Sequence, residues 1–112
     1  MTNWSTIPYS SRLPKPIVTA HGAYHERNGL LLVVNAGGDD CGLGDLAPLP
    51  GFSKESLDEA RRRWEVVRGK AAQWGAPETP EELGALSSEL DEATAGVPSL
   101  RYALELALAD LG

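Results

Sequence analysis

The sequence predicts an α+β domain: a three-stranded antiparallel sheet followed by about three helices. Three observations carry this. Two strand-like segments, 29–34 and 41–47, flank the turn-rich hexapeptide Asn35-Ala36-Gly37-Gly38-Asp39-Asp40, which is the pattern of a β-hairpin. After residue 53 the apolar residues switch to spacings of three and four, the period of a helix. Thr79-Pro80-Glu81-Glu82 and Gly96-Val97-Pro98 then divide the remainder into two further helices. Strands first and helices after, on 112 residues, indicate one domain with a modest core.

Residues 4–9 read as a short first strand, placed at an edge or ended by Pro8, because proline donates nothing to a ladder. Residues 10–17, with Pro14 and Pro16, read as a loop, and 18–26 as a loop passing into a strand. The continuous apolar run in 29–34 reads as a strand buried on both faces. Residues 41–47 return as a third strand, weakened by Gly42 and Gly44. Ser53 is the expected cap of the first helix. Its stripe is Leu57, Ala60, Trp64, Val67, Ala71 and Trp74, and Gly75 is the expected stop. Glu55, Asp58, Glu59, Arg62 and Glu65 fall opposite, with Glu55 and Asp58 suiting the helix dipole.

The second helix has a sharper start. Thr79 caps it, Pro80 is its first residue, and Glu82 is expected to reach back to the cap amide. Leu83, Leu86 and Leu90 form its stripe. Pro98-Ser99 opens the third helix, where Leu100, Ala103, Leu104, Leu106, Ala107, Leu108 and Leu111 leave most of the surface apolar. So small a sheet is expected to leave part of that surface for a covering outside the chain.

The formal charge of −6 is uneven: residues 1–53 sum to −1, 54–74 to +2 and 75–112 to −7. This balance argues against nucleic acid and against anionic membrane surfaces as partners. The main apolar run, 30–34, is far too short to span a bilayer, and the N-terminus has no charged and apolar leader pattern. Cys41, the single cysteine, excludes an internal disulfide and fits a reducing cytoplasm.

No complete catalytic constellation emerges. His21 and His25 are four apart, but Gly22 lies between them and no third metal ligand is near. A polar loop residue touching a ligand is the better reading of this pair. Asp39 and Asp40 belong to the turn. Gly37, Gly38, Gly42 and Gly44 read as hairpin glycines, since no Walker lysine or Gly-x-Gly-x-x-Gly spacing accompanies them. Nothing nearby in sequence activates Cys41. Arg61, Arg62 and Arg63 read as a solvated helix face, with Asp58–Arg62 and Arg61–Glu65 spaced for ion pairs.

The segment 48–53 stands apart. Pro48 and Pro50 stiffen it, Gly51 permits a bend, and Leu49 and Phe52 offer apolar surface. It either tucks those two side chains into the domain's own core or lines a concave site.

From Gly44 through Pro48-Leu49-Pro50-Gly51-Phe52-Ser53 to Glu55, Glu59 and Ala60, the sequence resembles the N-terminal domain of o-succinylbenzoate synthases, of the enolase superfamily. Thr19-Ala20-His21-Gly22 with Glu26-Arg27-Asn28-Gly29-Leu30-Leu31-Leu32, and Pro98-Ser99-Leu100-Arg101 with Glu105 and Asp110, resemble it too. Asp45 stands where the family pattern has glutamate. The resemblance implies that residues 1–112 are a capping domain. Its partner would be a C-terminal TIM-like barrel that carries the catalytic lysines and the three carboxylates for magnesium. A complete barrel needs roughly 250 residues, so it is expected to lie outside this chain, which alone would bind no metal and catalyse nothing.

The family's reaction removes water from a succinyl-hydroxycyclohexadiene carboxylate, on the way to menaquinone or phylloquinone. Segments 14–22 and 47–53 would close the site, with Thr19, His21, Leu49, Pro50 and Phe52 against the small carboxylate substrate. Two other readings stay open. One is the cap of an N-acylamino acid racemase or dipeptide epimerase. The other is a free-standing binding module.

Overall fold

The computed structural model describes residues 2–19, 22–38, 40–48 and 55–111, with Ile17, Thr19, Tyr24 and His25 described by their backbone alone. Three strands, β1 (Asn3–Thr19), β2 (Gly22–Gly37) and β3 (Asp40–Leu46), precede three helices, α1 (Leu57–Ala71), α2 (Pro80–Ala93) and α3 (Pro98–Leu111). The sheet is antiparallel in the order β1-β2-β3. The α+β expectation holds, strand for strand and helix for helix.

β1 is far longer than the expected 4–9. Its prolines are tolerated because β1 is an edge strand, where a missing N–H can face away from the ladder. Pairing jumps from Arg12↔Glu26 to Ile17↔Tyr24, so Leu13-Pro14-Lys15-Pro16 bulges from the ladder instead of forming a separate loop. At the β2–β3 turn, Gly37 and Gly38 take positive φ of 108° and 59°, and the Asn35 side-chain oxygen accepts from the Gly37 amide at 2.7 Å.

One sheet face carries the core. Trp4, Leu30, Leu32, Val34 and Leu46 are buried there against the helices. Leu31 and Val33 point to the other face and are only half-buried, so the 29–34 run is buried on one side rather than on both. Gly42 and Gly44 mark a close approach of β3 to α3. A Cβ on Gly42 would overlap the Ala107 carbonyl oxygen, and one on Gly44 that of Ala103. These glycines let α3 lie directly on β3, and the Asp110 carboxylate accepts from the Leu43 amide at 2.9 Å. This close seating covers one side of α3 within the chain, while Tyr102 on its outer side stays 62% exposed. Leu100, Ala103, Leu104, Ala107 and Leu108 are all buried within the chain, and Leu106 is only 38% exposed.

α1 buries Ala60, Trp64, Val67 and Ala71, as its stripe predicts. Its ends differ from expectation. Ser56, not Ser53, is the cap, accepting from the Glu59 amide at 3.1 Å; Ser53 lies outside the described residues. The helix stops at Ala71, before Trp74 and Gly75, because β1 occupies its terminal carbonyls. The Thr2 amide donates to Ala72 at 2.9 Å, the Thr2 hydroxyl to Trp74 at 2.7 Å, and the Trp4 indole to Ala71 at 2.9 Å. Trp4 and Trp64 then meet edge to face, with centroids 5.4 Å apart.

Thr79 caps α2 as expected, but Glu82 reaches the Glu78 amide (2.8 Å), one residue before the cap. Of its stripe only Leu90 is buried; Leu83 is 57% exposed because the helix seats through its C-terminal half. Arg63 is not part of a solvated face. Its guanidinium donates to the Ala93 and Ala95 carbonyls at 3.1 and 3.0 Å, capping α2 from α1. Among the described residues Glu65 pairs with Arg68, not with Arg61, and no Asp58–Arg62 pair forms.

Candidate functional site

The register explains where a site can form. β3 pairs with β2 only from Leu30 to Gly37, whereas β1 and β2 pair on outward to Thr19↔Gly22. Beyond Leu30 the β1–β2 hairpin is therefore a two-stranded arm. It runs roughly 26 Å past the end of β3 at about 3.3 Å per residue. β3 leaves the sheet at that same end, through Ala47 and Pro48. The described residues of segment 14–22 thus lie on the arm that extends from the same end of the sheet as Ala47 and Pro48.

A polar cluster spans all three strands there, on the face away from the helices. The Tyr9 hydroxyl on β1 donates to the Asp45 carboxylate on β3 at 2.5 Å. Its ring crosses β2 at Gly29, where a Cβ would lie only 2.7 Å from the phenol oxygen. Arg27 on β2 donates from Nη2 to the Ala47 carbonyl at 3.3 Å. Burial and the hydrogen bond to Asp45 push the Tyr9 phenol up to about 12, with Arg27 pulling the other way.

Of the predicted substrate contacts, Thr19 ends β1, at the tip of the arm. His21, Leu49, Pro50 and Phe52 lie outside the described residues. His25 lies in β2, not on a helix. Cys41 is free and exposed on β3. Among the described residues no three histidine, cysteine or carboxylate side chains gather to hold a metal. No helix among them is long and apolar enough to cross a membrane.

Sequence reading missed the cluster as a unit, although it singled out Asp45 and quoted Arg27. Its signal was Gly29: a glycine inside an apolar strand marks a close approach, here of Tyr9. Glu55 was also misplaced. It precedes the α1 cap and is 5% exposed, with its carboxylate 3.5 Å from the Ser99 amide at the start of α3. It serves the dipole of α3 rather than that of α1. Elsewhere, a cleft of about 310 Å³ between α2 and α3 is lined by Leu83, Leu86, Leu90, Arg101 and Leu108. Its one cation, Arg101, is engaged by Asp91, Glu105 and Ser87.

The family described as MenC, N-terminal domain, matches residues 2–111. The chain belongs to this family. An o-succinylbenzoate synthase from Thermosynechococcus vestitus is 34% identical over 55 residues, 49% of this chain and 17% of that enzyme. A mandelate racemase/muconate lactonizing protein from Herpetosiphon aurantiacus superposes with a TM-score of 0.80 at 24% identity, covering 97% of this chain and 29% of that one. A dipeptide epimerase from Methylococcus capsulatus, complexed with Mg and the dipeptide L-Arg-D-Lys, gives 0.78 at 23% identity, covering 97% of this chain and 30% of that one. At these identities the two superpositions speak for the fold alone. The domain spans less than a third of the length of these solved relatives.

Proposed function

We propose that this domain is the lid of a magnesium-dependent o-succinylbenzoate synthase, closing the mouth of a C-terminal barrel partner over a small carboxylate substrate. In this reading residues 1–112 are the cap, and metal and catalytic lysines belong to the barrel. The observation that carries it is the common origin of the two lid segments. The register puts the tip-bearing β1–β2 arm and the exit of β3 at one end of the sheet, so both segments can reach a single mouth. The family match over residues 2–111 and the identity to a synthase support the choice of reaction.

Each side chain then has a task set by its chemistry. Leu49 and Phe52 supply an apolar wall that keeps bulk water from the reacting ring. Pro48 and Pro50 hold that wall stiff, which lowers the entropy lost on closure. Thr19 and His21 offer hydrogen-bond donors to the substrate carboxylates. When bound in the barrel, magnesium would stabilise the negative charge that builds up before water leaves. The exposed free Cys41 is consistent with a cytoplasmic enzyme.

A cap exchange tests this. The domain is fused in place of the native cap of the Thermosynechococcus synthase and, separately, of the Methylococcus dipeptide epimerase. Magnesium-dependent dehydration of the succinyl-hydroxycyclohexadiene carboxylate by the first fusion, well above that of the uncapped barrel, is the expected result. Epimerisation by the second fusion with no dehydration by the first would assign the domain to an epimerase or racemase. A well-folded monomer that supports neither reaction would be a free-standing binding module.

A further inference from the structure

We propose that Arg27 is a positioning residue, which with Tyr9 and Asp45 couples the β1–β2 arm to the exit of β3 and so sets the spacing of the two lid segments. The proposal rests on the capping reading above and extends it to residues that touch no substrate.

The argument begins where the ladder stops. The last β2–β3 pair is Leu30↔Leu46, so no ladder hydrogen bond fixes Ala47. Its carbonyl is taken instead by Arg27, a side chain from the arm. Each strand contributes one member of the cluster: Tyr9 from β1, Arg27 from β2 and Asp45 from β3. Tyr9 reaches Asp45 only because Gly29 leaves the intervening strand bare. The three strands are thus tied together at the line where the sheet narrows from three strands to two. An isolated two-stranded ribbon is marginal in water, and the arm has little apolar burial of its own. Val18, near its tip, is 75% exposed.

The raised Tyr9 pKa agrees with a phenol held in its protonated, donating form. The Arg27 Nε is buried without a partner, a cost accepted while the rest of the guanidinium is committed to the cluster. At the other end of the second lid segment, Glu55 sits beside the Ser99 amide of α3.

Hydrogen exchange read by mass spectrometry on the 112-residue chain tests the coupling without any substrate. Arg27→Met keeps the aliphatic length and removes the donors. Losing one charge-assisted hydrogen bond should speed exchange in peptides covering 47–56 and 17–26 about tenfold, with the amides of α1, α2 and α3 at wild-type rates. Tyr9→Phe, which keeps the ring on Gly29 and removes only the hydroxyl, should shift the same peptides in the same direction by a smaller factor. It decides the matter should Arg27→Met fail to fold. Unchanged exchange in these peptides overturns the proposal, and so does acceleration spread equally over the helices.

In the cap–barrel enzyme, Arg27→Met should raise KM about tenfold with kcat changed less than about threefold. A fall in kcat at constant KM overturns the positioning role. Failure of the capping reading looks different: wild-type fusions show no activity, while the exchange pattern of the variants stands.

Discussion

β3 and the β1–β2 arm belong to one sheet, yet different forces hold them. β3 is clamped by packing. α3 lies on Gly42 and Gly44 at backbone contact, and Asp110 caps an edge amide of β3. Thr2 and the start of β1 share this regime, with Thr2 and Trp4 closing the end of α1. Beyond Tyr9 the described side chains of β1 are exposed apart from half-buried Leu13, and a handful of polar contacts take over. The difference separates two jobs within one small domain. A dense base fixes the strands it packs, and beyond it the arm is held by few contacts. Loops that carry function on a rigid scaffold follow the same division.

Removing the packing at the base should have the largest effect. Trp64 is almost fully buried and stacks edge to face on Trp4. Trp64→Ala should cost about 3–5 kcal/mol, read as a fall in the urea midpoint. On a domain this small, a loss of that size can unfold it. If the variant keeps its midpoint, the base is not the rigid partner in the comparison.

Gly44→Ala comes next. It adds one methyl that meets the Ala103 carbonyl and must lift α3 away from β3. The cost should be about 2 kcal/mol, and the same change at Gly84, where nothing lies within 4 Å, should not destabilise. Equal effects at the two glycines would mean that the close seating of α3 is absent in solution.

Much of the base was legible in the sequence. The α1 stripe, the Thr79-Pro80 start of α2 and the glycine turn between β2 and β3 each follow from local chemistry, and the structure has them at those residues. What was missed is tertiary in origin. Residues 10–17 read as loop because of their prolines, but an edge position and a bulge absorb them. Helix α1 stops at Ala71 because Thr2 and Trp4, some seventy residues earlier, take its carbonyls. Gly42 and Gly44 read as weak strand residues until α3 lies on them. The brace of Tyr9, Arg27 and Asp45 needs the register of three strands, which no local window contains. Of the residues predicted to touch substrate, Thr19 is placed at the arm's tip and the others lie beyond the described residues.

The smallest expected effect is a pH dependence confined to the arm's root. The Tyr9 phenol, ordinarily near 10.0, is pushed up to about 12 by burial and by Asp45. A raised folded-state value means that folding favours the protonated phenol. The stability this group contributes is present in full below about pH 10 and is lost as pH rises towards about 12. Stability as a whole also changes with pH, so the comparison must be internal. Thermal midpoints of the wild type and of Tyr9→Phe, followed from pH 8 upward, should keep a constant gap at first and converge above about pH 10. Absorbance of tyrosinate should show one phenol fewer titrating near its ordinary value in the wild type. Asp45→Asn should bring it part of the way back, because the asparagine amide removes the charge that Tyr9 faces while burial, the larger cause, remains. A Tyr9 that titrates normally in the wild type would mean that the hydroxyl is not held by Asp45. The arm would then be joined to the base by its ladder alone, and the contrast between a clamped β3 and a braced arm would reduce to a difference in burial.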